Sequence, residues 1–239
     1  MTATTASVDH LLGLIHQTGY WRVAIHSTAF ERQRISSLAD CWRIVEESRV
    51  SQRGWDYPYL DRTQRVFEDD WVQCGVEWAN HVELWRFYQS GQFVHQFAVT
   101  EDREPPSLMG NQRGPSQMVD GPRRLSFLNL LYTVTEILEF ARRLAHHETL
   151  DPAATVRIEL HGMRDRQLIA PLSRLLPDNY VSRGDTICWE RTTPSAALIA
   201  TAPALAIDAT IHILERFRWD DVSRRLLEDD QARFYQRQW

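Results

Sequence analysis

His81 and Glu83 stand two residues apart in a β-rich run, a spacing that places both side chains on one face of a strand. An imidazole beside a carboxylate is the pairing that acid–base catalysis and metal ligation both use. A catalytic metal site needs three or more protein ligands, and the sequence offers no third, so a solvated strand face is the plainer expectation. Arg86 and His95 form a second pair. The runs 76–89 and 92–100 flank Ser90-Gly91, which suits a two-residue hairpin turn with glycine at positive φ. On that register Arg86 faces His95, on a side otherwise built from Val82, Leu84, Tyr88, Phe93, Phe97 and Val99. A buried arginine is costly unless it is paired. Arg86 and His95 therefore either answer an acidic group from elsewhere or line a pocket for an anion.

The remaining histidines have simpler uses. His146 and His147 close the strongest helical stretch, where cationic side chains interact well with the helix dipole. His161 ends a strand at a Gly162 turn, and His212 lies on an alanine-rich helix as a hydrogen-bonded core residue. The chain contains no GxSxG elbow, no HExxH, no GxGxxG after a strand, no CxxC and no EF-hand loop. Its cysteines, Cys41, Cys74 and Cys188, are too far apart in sequence for a zinc pattern and read as reduced, mostly buried thiols. No cofactor and no metal are expected.

All 27 basic residues are arginine. A lysine-free chain has no P-loop lysine and no Schiff-base lysine. The net charge of -5 disfavours nucleic-acid binding, which draws on surplus positive charge. The apolar stretch 196–209 is broken by Thr201, Pro203 and Asp208 and is shorter than the roughly 20 residues of a membrane span. It reads as a buried helix, and the N-terminus lacks a signal-peptide pattern, so a cytoplasmic protein without membrane contact is expected. Nine tryptophans exceed what a core of this size needs, and tryptophan is favoured where protein surfaces bury one another. Trp55, Tyr57, Tyr59 and Trp239 are the candidates for an exposed partner-binding surface.

The elements that must position these residues follow from hydrophobic period. The expectation is one α+β domain over 1–239, with an antiparallel sheet containing a central hairpin at about 76–100. Amphipathic helices at about 127–145, 195–217 and 221–236 pack on it, the second kinked or restarted near Pro203. Helices near 8–16 and 37–47 and strands near 21–26, 155–160, 167–170 and 186–190 complete the pattern. On the 127–145 helix, Glu136 and Glu139 fall off the apolar face. The stretch 101–124 holds four prolines and three glycines and is expected to be a mobile loop.

The runs Trp85-Arg-Phe-Tyr-Gln-Ser-Gly-Gln-Phe-Val-His95 and Arg53-Gly-Trp-Asp-Tyr-Pro58 resemble a group of uncharacterised bacterial proteins. The resemblance implies a bacterial, cytoplasmic origin and brings no catalytic residue with it. The leading expectation is a non-catalytic interaction module, binding another protein or a second copy of itself. The alternative is an enzyme or small-ligand sensor with an anion-binding or metal-binding pocket beside the hairpin, built from Arg86 and His95 or from His81 and Glu83.

Overall fold

A computed structural model describes residues 7–78, 80–103, 123–171, 174 and 176–237. Most of the 101–124 stretch and Trp239 lie outside the described residues. The chain forms an α+β fold. Seven strands make one antiparallel sheet: β1 (Tyr20–Ser27), β2 (Arg65–Phe67), β3 (Trp71–Trp78), β4 (His81–Tyr88), β5 (Phe93–Ala98), β7 (Ala153–His161) and β9 (Ile187–Pro194). Their order across the sheet is β2-β3-β4-β5-β1-β7-β9, and β6 (Arg124–Ser126) pairs in parallel with β8 (Gln167–Ile169) beside it. The run expected as one strand from 76 to 89 divides between β3 and β4, which form a hairpin of their own in which Trp78 faces His81.

One face of the sheet is covered by α2 (Leu38–Ser48), α3 (Phe127–His146) and α4 (Ser195–Arg216), with α5 (Arg224–Tyr235) packed outside against α3 and α4. Alternation sends Trp21, Val23 and Ile25 of β1 to this side, with Trp85 and Phe87 of β4 and Val156, Ile158 and Leu160 of β7. Phe140 of α3 meets Phe93 of β5 at 4.6 Å between ring centroids. The opposite face carries α1 (Val8–His16), whose Leu11 and Ile15 close a small second core with Val82 and Leu84. Gly75 is what lets α1 approach so closely, since a Cβ there would lie 2.4 Å from the Leu11 side chain.

Serine side chains start four of the helices. Ser7, Ser37, Ser126 and Ser223 each accept a hydrogen bond from a backbone N–H in the first turn. The last helix therefore begins at Arg224, after Ser223, rather than near Asp220. α4 runs unbroken through Pro203 for 22 residues, close to the expected 195–217 stretch but without the restart expected near Pro203. On length and composition alone it could cross a membrane. Its apolar residues also have a use within the fold, because Leu198, Ala202, Ala206, Ala209 and Ile213 are buried in the main core.

Candidate functional site

The β4–β5 connection is one residue longer than the expected two-residue turn. Tyr88 N–H donates to Gln92 O, and Gly91 N–H donates to Tyr88 O, so Gln89, Ser90 and Gly91 form a three-residue loop with Gly91 at φ +82. The extra residue shifts the register by one, pairing Trp85 with His95, Phe87 with Phe93 and Glu83 with Phe97. A one-residue slip exchanges the faces of a strand. The expected pairing of Arg86 with His95 is thereby overturned: the two point to opposite sides. Arg86 lies on the α1 side, where its Nε donates to Gln73 Oε1 at 2.6 Å and its guanidinium sits 4.4 Å from the Trp71 ring centroid. Among the described residues its partners are an amide and a ring face, with no acidic group.

The same slip brings His95 to Glu83. The Glu83 carboxylate is buried and accepts from His81 Nε2 at 2.5 Å and from the Tyr59 backbone N–H at 2.8 Å. His95 Nε2 stands 3.5 Å from Glu83 Oε1 on the other side. Burial alone would raise the pKa of Glu83, but the imidazoles of His95 and His81 outweigh it and hold the carboxyl well below its ordinary value. His81 is partly open to solvent, so the cluster runs from a buried imidazole through an ionised carboxylate to an accessible imidazole. Among the described residues, no group of three or more His, Cys, Asp or Glu is arranged to hold a metal ion.

A second charged pair lies beside the first. Val50 and Tyr57 bridge through two backbone hydrogen bonds of 2.8 Å, folding residues 51–56 into a loop that carries Arg53 and Trp55. Arg53 reaches α3, where its guanidinium donates to both carboxylate oxygens of Glu136, to Asn129 Oδ1 and to Thr133 Oγ1. Glu136 is fully buried, contrary to its expected place off the apolar face, because Arg53 supplies the charge and hydrogen bonds that burial requires. Burial pushes its pKa up, and Arg53 works against that rise. Glu139 is buried for a similar reason, held by Arg142 and Arg143.

Between these pairs lies a recess. Its floor and walls include Trp21, Tyr57 and Phe97, and polar groups enter from Glu83, His81 and Thr133. Arg53, Trp55, Asp56, Thr100, Glu101 and Asn129 line it as well. The space inside is about 30 Å³, enough for about one or two water molecules. Tyr57 is 5% exposed, and its hydroxyl meets no hydrogen-bond partner among the described residues. Neither ring nitrogen of His95 meets one within hydrogen-bond geometry. The Tyr57 and His95 rings stand 5.2 Å apart.

The aromatic candidates divide. Tyr57 is core, packed on Phe97 and Phe140, and so is not part of an exposed surface. Trp55 is 42% exposed and lies 5.0 Å from the Arg53 guanidinium. Tyr59 is half-buried beside Trp78, which is 43% exposed and whose ring lies tilted 5.7 Å from that of His81, a residue that lines the recess. Trp21, Trp42, Trp85, Trp189 and Trp219 are buried. The spacing of His81 and Glu83 pointed to this place, whereas Arg53, Glu136 and Tyr57 come from three separate segments. No protein-family model matches the chain, no curated protein matches it, and no solved structure matches it.

Proposed function

We propose that the chain is a binding module whose working part is the recess between β4, β5 and the first half of α3. The observation that carries this reading is the Tyr57 hydroxyl, buried without a partner in a side chain that lines a void beside the ionised Glu83. A buried hydroxyl left unanswered costs roughly 1–3 kcal/mol, and such groups are uncommon where no ligand or water answers them. The other polar groups of the recess already hold one another in place, which gives a ligand a rigid set of partners.

The interaction reading draws on the rim. Trp55, in the lining, and Trp78, beside His81, offer stiff, exposed apolar area, with Tyr59 packed against Trp78. A partner that fills the recess would cover these rings, so one site serves both a small ligand and a projecting side chain of another protein. A fragment panel of amines, acids, sugars and nucleosides, read by the indole 1H–15N resonances, tests the site. Binders are expected to move the Trp21 and Trp55 signals and leave Trp189 and Trp219 in place. Binders that all act elsewhere would remove the basis of the reading.

A further inference from the structure

We infer that residues 51–56 form a hinged lid over the recess, latched to α3 by Arg53 and swung at the Val50–Tyr57 bridge. That its opening admits a ligand rests on reading the recess as a binding site. The Tyr57 hydroxyl is buried, and the space beside it takes about one or two water molecules. Any larger group reaches that hydroxyl only when a wall moves.

The other walls are fixed. Trp21 and Phe97 stand on β1 and β5, inside the sheet, and Leu130 and Thr133 stand on α3, which is buried along most of its length. Glu101 accepts from the Ser126 N–H and from Asn129, and its neighbour Asp102 holds the fully buried Arg166 through both carboxylate oxygens. The 51–56 wall differs. None of its residues belongs to the hydrophobic core, and among the described residues no backbone hydrogen bond joins it to another element. Gly54 at the tip has φ +84, and a Cβ there would meet nothing within 4 Å, so the tip stands clear of the body.

Arg53 fastens that tip, donating to Glu136, Asn129 and Thr133 on α3. The remaining polar contacts act at the neck. Ser51 donates to Asp56, Arg49 lies 3.7 Å from Asp56, and Arg237 donates to Ser51 O at 2.9 Å. Val50 and Tyr57, both buried, are joined by their two backbone hydrogen bonds, so the ends stay together when Arg53 lets go. A segment with few buried apolar contacts opens ahead of the rest of a fold. Release strips the buried Glu136 of its counter-charge, which makes the open form a minor state. Trp55, 5.0 Å from the Arg53 guanidinium, travels with the latch.

Nitrogen-15 relaxation dispersion on the full chain detects exchange on the μs–ms timescale and tests the lid. The Trp55 indole and the backbone amides of 51–56 are expected to share one exchange process that the Trp21 and Trp85 indoles lack. Thr133→Val removes one acceptor of Arg53 and should raise the open population severalfold. Arg53→Met combined with Glu136→Leu removes both charges, leaves no unpaired ion in the core, and should raise it at least about tenfold. Trp55 exchange that is absent from both variants, or that Trp21 and Trp85 share, would overturn the lid. The neutral nitroxide 4-hydroxy-TEMPO, much larger than the recess, reports access. It should relax the Trp21 ring protons more strongly in the double variant than in the native chain and leave those of Trp189 unchanged. Equal relaxation of Trp21 in the two would also overturn the lid. The nitroxide needs no binding site, so a fragment panel that moves neither the Trp21 nor the Trp55 signal would remove the ligand reading and leave the lid standing.

Discussion

Trp85 and His95 face each other across β4 and β5, and this pairing decides what the site is. It places His95 on the face of Glu83, two positions along from Trp85, and sends Arg86 to the other side of the sheet. The Trp85 indole donates to Tyr59 O at 2.9 Å, which ties the 50–60 segment to the same strand that carries Glu83. The turn that sets the register is therefore as much a part of the site as its charged residues.

Gly91→Ala should be destabilising. Its φ of +82 is strained for an L side chain, and a Cβ would fall 2.4 Å from the Thr149 carbonyl oxygen. A loss of roughly 1–3 kcal/mol is expected by urea unfolding. Gly13→Ala serves as the control, since its Cβ would meet nothing within 4 Å on a helix, and a gain of about 0.5–1 kcal/mol is expected there. Equal effects at the two positions would contradict the turn assignment.

Some of this was legible before any coordinates. Ser90-Gly91 marked the hairpin, the three-and-four spacing from Phe127 to Leu144 marked α3, and the two-residue spacing of His81 and Glu83 put them on one face. Register was not legible, because two-residue and three-residue loops place the same glycine in nearly the same position while exchanging the strand faces. Arg53 and Glu136 lie 83 positions apart, and nothing local marks a glutamate on an amphipathic helix as one that a distant arginine will bury.

Breaking that pair tests how firmly the loop bearing Trp55 is held. Glu136→Leu alone leaves Arg53 buried without its counter-charge and should cost about 3–5 kcal/mol in chemical unfolding. Combining it with Arg53→Met removes both charges and should cost less than the sum of the single changes. Strict additivity would mean that the two side chains do not interact in solution.

Acid should weaken the fold through Glu83. Its folded pKa is depressed, so the stabilisation is fully present above the ordinary carboxyl value of 4.5 and is lost as pH falls below it. The stability gap between the native chain and Glu83→Gln should narrow from pH 5 to pH 3 in equilibrium unfolding. A gap that stays constant over that range would show that Glu83 is not held ionised by its histidines.

Thiol chemistry should single out one cysteine. Burial pushes Cys41 and Cys74 up to about 12, while Cys188 is exposed on β9. One thiol per chain should react with an aromatic disulfide reagent in the native state and three after denaturation, and Cys188→Ser should remove the native signal. Rapid native labelling of more than one thiol would mean that the core beneath α2 opens readily.

The most direct measurement is a crystal structure of the full chain soaked with the fragments that move the Trp21 and Trp55 indole signals. The account predicts a fragment in the recess, within hydrogen-bond distance of the Tyr57 hydroxyl. Water alone in the recess, with every fragment bound elsewhere or nowhere, would contradict it.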